Sequence, residues 1–318
     1  MLSFDMRLGP GATALPEHVG GALHGFVEGA TLAHAPQLLG LLRPGGQNDA
    51  ARFAVHAPPV GTTLDESLRF GLVLFGAASQ AWPLLVNALI EQTAQRFHGR
   101  TARIESASMQ QPGGEPVPVV ESGRLIDPTP QTESPSAWLQ RVAAAGDAGL
   151  DERSFHVLNF RSPLLLASRY QVRVRLPQLG SLPWPTLGQV LDSVARRMHA
   201  LEPELARVTG CAPEWRASDT AHLIKPLTPA ADPARQVVWA YSSMPRARQG
   251  QAGRPDRRTV PVPGILGTLV YRTTADAVER QLLYWGQWLG VGQKTSMGCG
   301  AYVLHHFSSA TSDREARP

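Results

Sequence analysis

The stretch from Tyr284 to Tyr302, YWGQWLGVGQKTSMGCGAY, constrains this chain more than any other. Gly286, Gly290, Gly292, Gly298 and Gly300 surround Lys294, Thr295 and Ser296. Upstream, Val278, Leu282, Trp285 and Leu289 recur at helical spacing, with Asp276, Glu279 and Arg280 off that stripe. Downstream, Ala301 to Phe307 reads as a short strand. The order helix, glycine loop, strand is the reverse of the phosphate loops of nucleotide enzymes, which run from strand into helix. Gln293 also separates Gly292 from Lys294, so the Walker pattern fails, and no helix follows for a dinucleotide fingerprint. What remains is a backbone with few Cβ atoms, able to take positive φ and to approach a ligand closely. Its N–H groups, one lysine and two hydroxyls could form an anion nest for a phosphate backbone. A helix cap followed by a glycine-rich turn would explain the glycine content alone. The pattern G-x-G-x-K-T-S-x-G-x-G is more specific than that.

At 318 residues the chain can form one large domain or two of ordinary size. A hydrophobic content of 43% against 18% charged residues is globular and excludes disorder. The formal net charge is +4, and lysine occurs only as Lys225 and Lys294, so the positive charge is almost all arginine. Arginine suits bidentate phosphate contacts and stacking on bases. Cys211 and Cys299 are far apart and form no metal-ligand pattern; no disulfide framework is expected, which fits a reducing cytoplasm. The start, MLSFDMRLG, lacks a signal peptide's layout, and no apolar run approaches a membrane span. The expectation is a soluble cytoplasmic protein with no membrane contact and no cofactor.

Taken in order, Leu2 to Leu8 alternates as a first strand, and Pro16 opens a helical region with Val19, Leu23, Phe26 and Val27 on one face. A second apolar set, Leu38 to Leu42, is stopped by Arg43-Pro44-Gly45-Gly46. Strands are expected at Phe53–His56, Arg69–Phe75 and Arg103–Met109, with a helix carrying Trp82, Leu85, Leu89, Ile90 and Phe97 before the last. Strand, helix, strand, strand, helix, strand is the ferredoxin-like order. Residues 110–136 are rich in proline and glycine, with a hairpin across Val117 to Ile126 turning at Ser122-Gly123. A short helix is expected over Ser134–Ala145, then a linker at 146–151. A second round follows: strands at Phe155–Leu166 and Tyr170–Leu176, a helix capped by Thr186, strands at Val237–Tyr241 and Ile265–Tyr271, then the glycine stretch. The fold class expected is therefore α+β, as tandem ferredoxin-like (RRM-like) domains over residues 1–148 and 149–308, with a tail at 309–318.

The glycine stretch closely resembles the C-terminal loop of the RAMP superfamily, in particular of CRISPR endoribonucleases that cut precursor CRISPR RNA within its repeats. That family typically carries G-x-G-x-(K/x)-T-(S/T)-x-G-x-G just before its last strand. The resemblance extends over most of the second half. Asn159-Phe160-Arg161-Ser162-Pro163-Leu164 is similar to a strand ending in F-x-(T/S)-P-L, while Tyr241-Ser242, the arginines after it and Gly264-x-x-Gly267 are similar to a Y-S, basic stretch, G-x-x-G hairpin. Leu23-His24-Gly25 and Leu74-Phe75-Gly76 are weaker matches in the first half.

What the resemblance implies is metal-independent cleavage: a ribose 2′-hydroxyl attacks the adjacent phosphate, leaving a 2′,3′-cyclic phosphate and a 5′-hydroxyl. Such a site needs a base, an acid and a cation for the phosphorane. In many members a histidine follows the first helix, in an L-H segment. Here Leu41-Leu42-Arg43-Pro44 occupies that place, so arginine stands where histidine is expected. Arginine is no ready base, though it can clamp a phosphorane. His24 and His34 are the nearest imidazoles and, with Arg43, the catalytic candidates; His56 on the next strand could also face the site. The RNA-binding candidates are Gly290, Gly292, Lys294, Thr295, Ser296, Gly298 and Gly300 of the loop. Arg246, Arg248, Arg254, Arg257 and Arg258 join them, crowding one connection with only Asp256 in opposition. His305 and His306 have no partner spacing for a metal, and no carboxylate pair, nucleophile elbow or zinc pattern is present.

Three readings follow. The first is an endoribonuclease making guide RNAs from CRISPR repeat RNA. The second is a RAMP subunit that binds guide RNA among other CRISPR effector subunits without cutting, for which Arg43 in place of histidine is the best argument. The third is an unrelated ferredoxin-like enzyme for a small phosphorylated ligand, for which only the glycine loop speaks.

Overall fold

The computed structural model describes residues 1–10, 18–44, 51–62, 66–92, 97, 99–110, 115–126, 134, 137, 154–166, 184–230, 232–242, 259–274 and 276–307. The first unit is built on β1 (Leu2–Leu8), whose even-numbered side chains Leu2, Phe4, Met6 and Leu8 are all buried. Alternation of this kind gives a strand one dry face. β1 lies between β3 (Ser67–Leu74) and β4 (Ala102–Met109), both antiparallel to it, with Phe4 opposite Phe70 and their rings stacked at 4.9 Å. β2 (Phe53–His56) pairs with β3 on one side, and the hairpin β5 (Val117–Glu121) and β6 (Arg124–Leu125) extends the other. The strand order is β2-β3-β1-β4-β5-β6. Its first four strands have the ferredoxin-like arrangement, and the hairpin turns at Ser122-Gly123, as the sequence predicts.

Helix α1 (Gly20–His34) and helix α4 (Trp82–Glu91) cover the dry face, with the short helices α2 (Leu39–Leu42) and α3 (Ala77–Gln80) between. Two expectations shift here. The first helix begins at Gly20, and Pro16 lies outside the described residues. Phe97 is not on α4: it forms an isolated bridge with Arg100 and meets Phe26 edge-on at 6.5 Å. It reaches the core from beyond the helix, which its apolar character alone could not reveal.

The second unit repeats the arrangement. β7 (Phe155–Leu164) runs between β10 (Tyr302–Phe307) and β9 (Thr259–Arg272), with β8 (Arg235–Ser242) outside β9, giving the order β10-β7-β9-β8. Both sheets are antiparallel, and the ferredoxin-like arrangement thus occurs twice in the chain, giving the tandem architecture. Helix α5 (Leu187–Leu201) starts in a full capping box: the Thr186 hydroxyl accepts from Gln189 N, and the Gln189 side chain accepts from Thr186 N at 3.0 Å. Short helices α6 (Pro203–Val208) and α7 (Asp219–Leu223) follow. Helix α8 (Ala277–Leu289) is capped by Asp276, which accepts from Val278 N at 2.7 Å. Glu279, placed off the apolar stripe by periodicity, is buried, because its carboxylate accepts the Ser218 amide at 3.0 Å. The expected strand Tyr170–Leu176, nearly all of the helix Ser134–Ala145 and the linker at 146–151 lie outside the described residues.

The units meet along β2 and β3. Ala54, Val73 and Phe75 of the first unit belong to the hydrophobic core of the second. Arg197 of α5 donates to the Leu289 carbonyl and, at 3.5 Å, to the Phe53 carbonyl, with its guanidinium over the Phe75 ring. The Glu202 carboxylate accepts the Gly76 amide. These contacts set the end of α8, where the glycine loop begins, against the start of β2.

Candidate functional site

The glycine loop is stitched into the fold by its own backbone. Val291 N donates to the Gly300 carbonyl at 3.0 Å, Gly300 N to the Pro163 carbonyl at 2.9 Å, and Gln293 N to the Leu165 carbonyl at 2.6 Å. The Gly292 amide goes to the Ser193 hydroxyl at 2.8 Å, and the Ala301 amide to the Ser162 hydroxyl at 2.8 Å. Gly290 N donates to Gly286 O and Gly298 N to Thr295 O, each at 2.9 Å. The amides of Gly290, Gly292, Gly298 and Gly300, read from sequence as phosphate donors, are thus donors within the protein. Glycine is needed for closeness: a Cβ at Gly292 would lie 2.1 Å from the Leu165 carbonyl oxygen, and one at Gly300 1.8 Å from that of Val291. Ser162 and Pro163, picked out in the F-x-S-P-L segment, are the strand end onto which the loop closes.

Between those glycines Lys294 takes a left-handed conformation, φ 56°, and leads into a single 3₁₀ turn, Thr295–Met297. A left-handed non-glycine residue is held there against its own preference. Thr295 and Ser296 are buried and Lys294 is half-buried. The Lys294 ammonium stands near the Cys299 thiol, whose pKa burial pushes up to about 12 against the pull of that charge.

This turn rests on the first unit through histidines. His24 Nδ1 is 3.0 Å from the Ser296 carbonyl, and His18 Nε2 is 3.3 Å from that of Met297. His56 Nε2 is 3.4 Å from the Trp288 carbonyl, at the end of α8. A carbonyl accepts only, so each of these ring nitrogens carries a proton. Burial lowers the pKa of His18 and of His56 to about 4, outweighing the carbonyls that favour the charged ring. Both are neutral fasteners at neutral pH.

His24 also anchors a charged group. Its ring stacks on Phe53 at 5.3 Å, and Arg43 Nη2, from the residue that ends α2, lies 2.6 Å from His24 Nε2. Arg43 is ion-paired with Glu28, one helical turn beyond His24, and Glu28 Oε2 is 3.3 Å from His24 Nε2. Burial raises the Glu28 pKa, but the neighbouring side chains outweigh it, the paired Arg43 among them, so the carboxyl is held below its ordinary range.

Of the sequence candidates, His24, Arg43, Lys294, Thr295 and Ser296 come together at this place. His34 does not: its ring nitrogens face Glu91 at 3.4 Å and Gln92 at 3.1 Å, on the α4 side. Arg246, Arg248, Arg254, Arg257 and Arg258 lie outside the described residues. Sequence reasoning missed Glu28 and His18. Glu28 carried a signal, since it follows His24 by four residues on one helix face; His18 carried none. Among the described residues no group of three or more His, Cys, Asp and Glu could hold a metal ion. None of the described helices is long and apolar enough to cross a membrane.

Residues 158–302 match the family model of the CRISPR-associated endoribonuclease Cas6. No curated protein sequence matches the chain. Among solved structures, the product complex of a Thermus thermophilus Cas6 superposes with a TM-score of 0.55 at 16% identity, over 96% of this chain and 99% of that one. A partial Cas6-RT-Cas1–Cas2 complex superposes with a TM-score of 0.56 at 14% identity, over 97% of this chain and 46% of that one. At these identities the likeness is one of fold.

Proposed function

We propose that the chain is a CRISPR protein of the Cas6/RAMP type, and that it is a metal-independent endoribonuclease that cuts CRISPR repeat RNA into guide RNAs; the family-model match over residues 158–302 and the shared fold support this reading. The observation that carries the reading is the junction of Arg43 with His24 against the Lys294–Ser296 turn, 3.0 Å from imidazole to Ser296 carbonyl. It puts a cation, an imidazole and a carboxylate beside the loop on which the RNA backbone lies. The 2′-hydroxyl upstream of the scissile phosphate attacks it, with its proton passing to a base of this cluster. Arg43 stabilises the charge that gathers on the phosphorane. The products are a 2′,3′-cyclic phosphate and a 5′-hydroxyl, and no metal takes part. Lys294 holds a backbone phosphate, with Thr295 and Ser296 shaping the turn that presents it. The arginines from Arg246 to Arg258 contribute to binding the rest of the repeat through their charge. The partners are repeat RNA and its guide product, with other CRISPR proteins alongside, in the cytoplasm; the domain boundary falls at 146–151.

One observation favours a second reading, a RAMP subunit that holds guide RNA without cutting. Arginine stands at position 43, where the family resemblance leads one to expect histidine. The two separate on a gel. End-labelled repeat RNA incubated with the protein and a chelator is expected to give a discrete fragment; a tight complex with intact RNA would overturn the cutting reading in favour of the second.

A further inference from the structure

Resting on the cutting reading, we infer that Glu28 is the general base of the reaction, and that His24 positions Glu28 and Arg43 without itself taking a proton. An imidazole can act as a base only through a free lone pair. In His24 the Nδ1 proton is given to the Ser296 carbonyl at 3.0 Å, and the Nε2 lone pair receives Arg43 Nη2 at 2.6 Å. Two N–H donors cannot meet at that distance, so the ring is the neutral Nδ1–H form with both nitrogens occupied. Its side chain is only 5% exposed and one face is covered by Phe53.

Glu28 is the contrary case. Its side chain is 31% exposed, beside Arg43 at 23%. A carboxylate has about four acceptor lone pairs, and Arg43 occupies only part of that capacity. Among the described residues, His24 on the same helix and Arg43 from the end of α2 are the groups that face it. On the α4 side, Glu91 is taken by His34. The Arg43 guanidinium paired with it favours the charged form, so the carboxylate is proton-free at neutral pH, as a base must be.

The step balances without redox change. Glu28 takes the proton of the 2′-hydroxyl as that oxygen bonds to phosphorus. The bond from phosphorus to the 5′-oxygen breaks, that oxygen takes a proton from water, and Glu28 returns its own to solvent. Arg43 bridges the base and the phosphorane, so the pair that orders the site also joins its two chemical functions.

The test is single-turnover cleavage of labelled repeat RNA by the full chain from pH 5.5 to 7.5, with circular dichroism to confirm folding at each pH. The parent rate is expected to stay level over that range, where an imidazole base would lose rate as it takes up a proton below about 6.5. Glu28→Gln, which keeps the size of the side chain, is expected to slow cleavage on the order of a hundredfold or more with affinity within about threefold. Formate should restore part of the rate to Glu28→Ala. A Glu28→Gln protein that cuts at the parental rate, or a parent rate that falls about tenfold per pH unit below about 6.5, overturns the assignment and leaves the cutting reading standing. A parent that binds the RNA and never cuts it overturns both.

Discussion

His24 donates its Nδ1 proton to the Ser296 carbonyl at 3.0 Å, joining the first helix to the glycine loop across 272 positions of sequence. That bond decides where Arg43 sits, because the same ring offers its other nitrogen to the guanidinium at 2.6 Å. Removing the ring should therefore be felt in the fold. His24→Ala deletes a buried donor and the stack on Phe53, and is expected to cost about 2–3 kcal/mol in urea unfolding. A change under about 0.5 kcal/mol would mean that the loop is held elsewhere.

Gly292→Ala and Gly300→Ala should each destabilise by about 3 kcal/mol or displace the loop. Both glycines have positive φ, and an added Cβ would fall on the carbonyl oxygen of Leu165 or Val291. The contrast is Gly25→Ala on α1, where an added Cβ has nothing within 4 Å and should stabilise by about 0.5–1 kcal/mol. Thermal melts of the three variants check this, and equal effects would contradict it.

Stability should fall on acidification. Burial lowers the pKa of His18 and His56 to about 4 and that of His156 to about 3, well below the value each regains on unfolding. Between the folded and unfolded values the unfolded chain binds protons that the native one refuses, so stability is fully present above about 6.5 and declines as the pH falls toward 4. The slope is expected to approach ~1.4 kcal/mol per pH unit for each histidine. Urea titrations at pH 7, 6 and 5 measure it, and His18→Asn should remove about one proton from the slope. A flat profile would show that these rings are neutral fasteners only in appearance.

The arginine-rich connection is expected to bind RNA chiefly through charge. Replacing Arg254, Arg257 and Arg258 together should weaken binding and make the salt dependence shallower by about 0.7 for each single-strand phosphate no longer neutralised. An unchanged slope would mean that the connection is merely solvated.

Much of this was legible because local pattern decides it. The alternation of Leu2 to Leu8 marks a strand with one dry face, and Thr186 with Gln189 three positions on marks a helix start. The order of such elements, ending in the glycine loop, was enough for the fold. What the pattern could not carry was which partner each polar group finds. The loop glycines read as donors for phosphate, yet their amides go to Ser193, Pro163 and neighbouring loop carbonyls, and those partners lie far off in sequence or depend on the loop's own closure. Glu279 has the sequence position of a solvated residue, and only the distant Ser218 amide explains its burial. His24 and His34 are equivalent candidates on one helix. Only packing sends the first to Ser296 and the second to Glu91.

The most direct measurement is single-turnover cleavage of repeat RNA by Arg43→Ala beside the parent, with chelator present and RNA affinity measured alongside. A preorganised cation at the phosphorane is worth about 3 kcal/mol, so the variant should cut on the order of a hundredfold more slowly while binding within about threefold of the parent. An Arg43→Ala protein that cuts at the parental rate would place the chemistry away from the junction of the first helix and the glycine loop.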